Sequence, residues 1–172
     1  MGISVSKRVK TSLTNSTEFT SACDSAYSHC ISLTQHAFEG VLPYQLRTAS
    51  DHIHATIFSN SKQPLIFNNW VPSPPTRLQI DSALRFVARQ QKGDETKELI
   101  LGPAPFKEWA VVLYAETIVG NAGKAIMARV PIGAAGIVGI GAATRSGKDL
   151  VGAAIGIYAL GVATSIYLSL SG

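Results

Sequence analysis

Apolar positions fall into two regimes along this chain. Through residues 15–105 they recur at helical spacing with polar groups between them; from 106 to 172 they run almost without interruption. In the first regime, Phe19, Cys23, Ala26, Cys30 and Leu33 make one stripe, which predicts a helix over about 16–36. Asn15 is placed to cap it, with Glu18 three positions on as in a capping box. Gly40-Val41-Leu42-Pro43 breaks the chain, and a second helix is expected over about 43–58, followed by a loop over 59–72. Ser73 then reads as a cap, Pro74 as a first helical residue and Gly93 as the stop beyond the end. Between them Ile80, Ala83, Leu84, Val87 and Ala88 line one face, and Arg77, Asp81, Arg85 and Arg89 line the other.

The second regime follows Gly102-Pro103-Ala104-Pro105. It predicts helices over about 107–121, 126–144 and 149–170. From about Trp109 onward the segment reads as membrane-directed. Trp109 and Tyr114 suit a bilayer interface, although a helix buried in a soluble body fits that first stretch almost equally well. Residues 130–144 and 150–172 are uncharged. A spanning helix needs about 20 apolar residues. The second run reaches that length. The first, at 15 residues, covers about 22 Å unless Ile126, Met127 and Ala128 join it and Arg129 snorkels. The polar turn between them is 145–149, with Asp149 placed to cap the last helix. The fold class expected is mainly α: a helical cytosolic part, then a glycine-rich transmembrane helical hairpin.

Glycine use sharpens that reading. A helix-interior glycine costs about 1 kcal/mol against alanine in water, whereas in lipid it permits close backbone packing. Gly133, Gly136, Gly139, Gly152, Gly156 and Gly161 are the expected packing positions. Ala135-Gly139-Ala143 forms one small-residue ridge, and Gly152-Gly156-Ala159-Ala163 forms the other.

Charge confirms the division. Of 172 residues, 15 are Lys or Arg and 11 Asp or Glu, a net charge of +4. Residues 1–108 hold 11 of the basic and 9 of the acidic ones. No long basic block exists, so nucleic acid is not an expected partner; a lipid bilayer is. Two cysteines build no disulfide framework, and seven residues along a helix separates them by about 10 Å, too far to bridge. Cys23 and Cys30 are expected as small core residues, with palmitoylation the sharper alternative.

The chain opens Met1-Gly2-Ile3-Ser4-Val5-Ser6, followed by Lys7, Arg8 and Lys10. This matches the N-myristoylation pattern at Gly2 with an adjoining basic cluster, so residues 1–14 read as an anchor segment. The acid-poor stretch before Glu18, with Val5, Val9 and Leu13 four apart, also fits an organelle transit peptide. The chain as a whole resembles small plant membrane proteins that combine a lipidated start with a glycine-rich tail. That resemblance implies no particular activity.

Motifs for catalysis are missing. Gly141 to Lys148 looks like a phosphate-binding loop but has five residues between its glycines and Asp149 where Ser or Thr must meet magnesium. Gly139-Ile140-Gly141 lacks the third glycine of a dinucleotide fingerprint. His52-x-His54 fits no metal-ligand spacing. The expectation is a non-catalytic integral membrane protein without cofactor or metal, its N-terminal part facing the cytosol, acting as a scaffold or accessory subunit beside other membrane proteins or itself. A mitochondrial or chloroplast membrane is the alternative address. A homo-oligomeric channel-like or membrane-shaping protein is the alternative role, and a soluble bundle with a buried hairpin is the third reading.

Overall fold

The computed structural model describes residues 4–59, 65–90, 99–145 and 147–170. Seven α-helices make up nearly all of it: α1 Val5–Asn15, α2 Thr17–Leu33, α3 Leu46–Ser59, α4 Leu65–Trp70, α5 Arg77–Gln90, α6 Pro103–Ala143 and α7 Lys148–Ser169. The chain is mainly α. Among the described residues the only β pairing is an isolated antiparallel bridge between Val41 and Leu101, with N–H···O distances of 2.8 and 2.9 Å. Gly40 stands beside that bridge because any Cβ there would press on the Leu101 carbonyl.

Local signals explain most boundaries. Asn15 ends α1 rather than capping α2; Ser16 is the cap, its hydroxyl accepting from the Phe19 N–H at 3.2 Å. Helix α2 stops in a Schellman arrangement, with Gln35 N–H on the Ser32 carbonyl and His36 N–H on that of Ile31. A 3-10 turn over Pro43–Gln45 leads into α3, and buried Gln45 ties it to α2 by donating to the Cys30 carbonyl at 2.8 Å. The expected loop over 59–72 contains α4. Helix α5 begins at Arg77, three residues later than Pro74 suggested. Proline restricts the residue before it to extended backbone, so Ser73 and Pro74 cannot enter a helix. Thr76 serves instead, with its N–H held by the Gln79 side chain at 2.8 Å. Gly93, the expected stop, lies outside the described residues.

The largest departure concerns α6. Two helices with a break near 121–126 were expected, and one 41-residue helix is found. Asn121 does not end it: its amide donates to the Trp70 carbonyl at 2.7 Å, and Ala122 is buried against the body. The first half of α6 is the post around which the body packs. Trp109, Ala110, Leu113, Tyr114, Ala115 and Ile118 are fully buried there, with α1, α2, α4 and α5 against it. Phe19, Phe67 and Tyr114 form an aromatic cluster, with centroids 5.5 to 5.8 Å apart. Trp109 therefore belongs to a protein core, not to a bilayer interface. A helix apolar on all sides is buried in something, and pattern alone does not distinguish protein from lipid.

Candidate functional site

Beyond Ala122 the same helix leaves the body. Residues 126–143 run outward for about 27 Å, and α7, 22 residues and about 33 Å long, returns alongside. Both helices are long and apolar enough to cross a membrane by length and composition. None of the most apolar 18-residue window of α6 is buried, and only 6% of that of α7. Ile132, Ile157 and Leu160 are 70 to 74% exposed, and Ile140 and Leu150 are also open. A water-soluble monomer rarely presents such a continuous apolar surface. The hairpin is not covered by the body, which disagrees with the soluble-bundle reading.

Two steric locks register the hairpin. A Cβ placed on Gly133 would overlap the Tyr158 ring, and one on Gly141 would overlap Val151 Cγ2. The glycines are holes and the larger side chains of α7 fill them. Tyr158 also reaches the Arg129 carbonyl with its hydroxyl at 3.3 Å. Of the expected packing glycines, only Gly133 makes such a contact. Gly136, Gly139, Gly152, Gly156 and Gly161 have nothing within 4 Å of an added Cβ, so the two ridges do not face one another. They point outward because the register brings the Gly133/Gly141 face onto α7. Gly141, Tyr158 and Val151 were absent from the expected set; the i,i+8 spacing of the two glycines against an i,i+7 pair was the available signal. At the turn, Gly147 precedes α7 as its cap, and Asp149 sits in the first helical turn.

The hairpin returns to the body at its base. Ile166 and Leu170 are buried against the core, and Tyr167 accepts a hydrogen bond from the Arg8 guanidinium, which also lies 4.8 Å from the ring centroid. Helix α1 is docked by buried Val9 and Leu13. The first fourteen residues thus include a helix packed on α6, not merely a polar anchor segment, and Lys7, Arg8 and Lys10 lie on that helix. Gly2 lies outside the described residues.

Cys23 and Cys30 occupy core positions on α2. Burial pushes the Cys23 thiol up to about 12, with Lys107 opposing and Asp24 adding to the rise; burial likewise pushes Cys30 up to about 11. Acylation at either would require α2 to unpack. From the ordinary thiol value of 9.0, the sign follows directly. Both thiols stay protonated in the folded body while the unfolded chain ionises, so their contribution to stability is complete below pH 9 and is lost as pH climbs toward 11–12. For Cys23 the loss approaches about 1.4 kcal/mol per pH unit. A Cys23→Ala/Cys30→Ala chain in mild detergent should therefore lose less melting temperature than wild type between pH 9 and 11. Equal losses, followed by near-ultraviolet circular dichroism, would show that the thiols do not drive the slope.

His52 and His54 do not converge. His52 Nε2 lies 3.0 Å from the Ser25 hydroxyl and stacks on His29 at 4.7 Å, while His54 Nε2 meets the Val71 carbonyl at 3.0 Å. Burial, then the neighbouring His29, lowers the His52 pKa below its ordinary value. Among the described residues no three His, Cys, Asp or Glu side chains gather as a metal site. Searches against protein-family models, curated proteins and solved structures give no match for this chain.

Proposed function

We propose that the hairpin of 126–143 and Lys148–Ser169 is a bilayer anchor and that the helical body is a non-catalytic scaffold or accessory subunit held at the membrane surface. The observation that carries this reading is the bare apolar hairpin: two antiparallel helices of near-bilayer length, locked to one another and left uncovered by their own chain. Away from its ends such a helix satisfies its backbone groups internally, and Pro131, which lacks an N–H, takes the usual partner from the Met127 carbonyl.

Charge placement supports an orientation. Lys7, Arg8 and Lys10 on α1, with Lys124 and Arg129 near the base of the hairpin, outnumber Arg145 and Lys148 at its turn. The more basic side faces the cytosol under the positive-inside rule. The Arg8–Tyr167 contact brings α1 to the hairpin base. A myristoyl group on Gly2, within a few residues of α1, would then enter the same leaflet and act as a second, weaker attachment.

Alkaline carbonate extraction tests the anchor. Wild type and Gly2→Ala should both stay in the membrane pellet, because two apolar helices bury far more hydrocarbon-facing surface than one acyl chain. Release of wild type into the supernatant sinks the reading. Release of Gly2→Ala alone would transfer the anchoring to the lipid.

A second reading, homo-oligomerisation within the bilayer, is favoured by the outward glycines. Gly136, Gly139, Gly152 and Gly156 have open space beside them, and small residues at helix surfaces let backbones of neighbouring chains approach closely in lipid.

A further inference from the structure

Arg129 is the only charged residue of 125–144, and 150–170 carries none. It stands three residues, about 5 Å of helix rise, beyond Ile126. Its guanidinium forms no ion pair or hydrogen bond with any described side chain; the ion pairs between described residues are Arg47–Asp51 and Lys107–Asp24, both in the body. The acids flanking it in sequence, Glu116 and Asp149, lie on the body and at the far turn. Arg129 also borders a groove of about 290 Å³ between α6 and α7, lined by Tyr158, Gly161, Val162 and Ser165. Gly161 leaves one flank open, since nothing lies within 4 Å of a Cβ added there. Tyr158 is committed to the Arg129 carbonyl, whereas the Ser165 hydroxyl has no partner among the described residues. The groove therefore brings together Arg129, the Ser165 hydroxyl and an apolar wall, and on the bilayer-anchor reading it stands near the edge of the hydrocarbon.

We propose that this groove holds the phosphate of an acidic phospholipid, with Arg129 pairing to it and Ser165 donating a hydrogen bond. This rests on the bilayer-anchor reading. An unpaired guanidinium at the edge of hydrocarbon is costly, and an anion offsets that cost. The planar fork of arginine matches phosphate oxygens two at a time. An acidic lipid suits the site better than phosphatidylcholine, whose own choline leaves the Arg129 charge uncompensated.

The test uses the full chain reconstituted into vesicles of equal phosphatidylcholine and phosphatidylglycerol, purified in mild detergent, with the retained phospholipid analysed. Wild type should retain phosphatidylglycerol in excess of its share. Arg129→Gln should return the ratio to that of the vesicles, Arg129→Lys should keep part of the excess, and Arg145→Gln, at the turn, should keep all of it. Inorganic phosphate added during purification should not displace the lipid; displacement would make this a free-anion site and overturn the assignment. An unchanged excess in Arg129→Gln overturns it too. Should that variant fail to accumulate, Ser165→Ala decides, with a reduced excess expected and an unchanged one fatal. Carbonate extraction of the same vesicles separates the two readings. If wild type washes out, the anchor and the lipid site both fall; if it is retained with no acidic-lipid excess, only the lipid site falls.

Discussion

Gly133→Leu should split the hairpin, and Gly156→Leu should leave the hairpin of a single chain intact. Position 133 has no room for a Cβ, because the Tyr158 ring occupies it. A leucine there must push α7 away or force the tyrosine out of its rotamer and off the Arg129 carbonyl. Overpacking of this kind costs roughly 1–3 kcal/mol, and more where the neighbour is a rigid ring. At 156 the space is open. The measurement is a cysteine pair across the hairpin near Gly141 and Val151, introduced in a Cys23→Ala/Cys30→Ala background. Cross-linking should fall severalfold with leucine at 133 and be unaffected by leucine at 156. Equal cross-linking in both would mean the Tyr158–Gly133 contact does not hold the arms. Separately, loss of a homo-oligomer on Gly156→Leu with the hairpin intact would support association through the outward glycines.

Trp109→Ala should destabilise the body by about 3–5 kcal/mol, the range for deleting a large aromatic from a close-packed core. Trp109 is fully buried beside Phe106, centroids 5.4 Å apart, and its indole N–H points to the Ile80 carbonyl at 3.4 Å. A tryptophan at a lipid interface would lose far less on truncation. The buried thiols report the outcome: maleimide labelling of Cys23 and Cys30 at neutral pH should accelerate by two orders of magnitude or more in the variant, since each 1.4 kcal/mol of stability lost opens the body tenfold more often. Membrane retention should not change, because the hairpin lies outside this core. Labelling as slow as wild type would return Trp109 to the periphery.

What the sequence could show depended on how each element is held. Helices α2 and α5 are amphipathic, and Phe19, Cys23, Ala26 and Cys30 on the one and Ile80, Ala83 and Val87 on the other mark the buried face directly; Leu33, the last residue of the expected α2 stripe, is instead exposed at the helix end. The first half of α6 carries no such contrast. Its surroundings are set by α1, α2, α4 and α5 closing over it, and that is a tertiary fact absent from any local pattern. Helix α1 was legible as amphipathic through Val5, Val9 and Leu13, but whether that stripe met lipid or protein depended on the same closure. Among the glycines, spacing identified small-residue faces without saying which one is used. That choice is made by Tyr158 and Val151 on the opposing helix, through a register fixed where Ile166 and Leu170 rejoin the body.

The unbroken α6 has a mechanical consequence. A helix turns about 100° per residue, so one continuous rod through both halves fixes the azimuth of the body relative to the hairpin as well as its height. Helices α1 and α7 both pack against that rod, and the Arg8–Tyr167 contact ties them to each other. The body cannot swivel relative to the hairpin as a domain on a flexible linker would. Under the proposed bilayer anchoring it would offer the same flank to every neighbour in the plane, so a partner diffusing in two dimensions would meet a surface already aimed, with the orientational part of the association cost met by the fold itself.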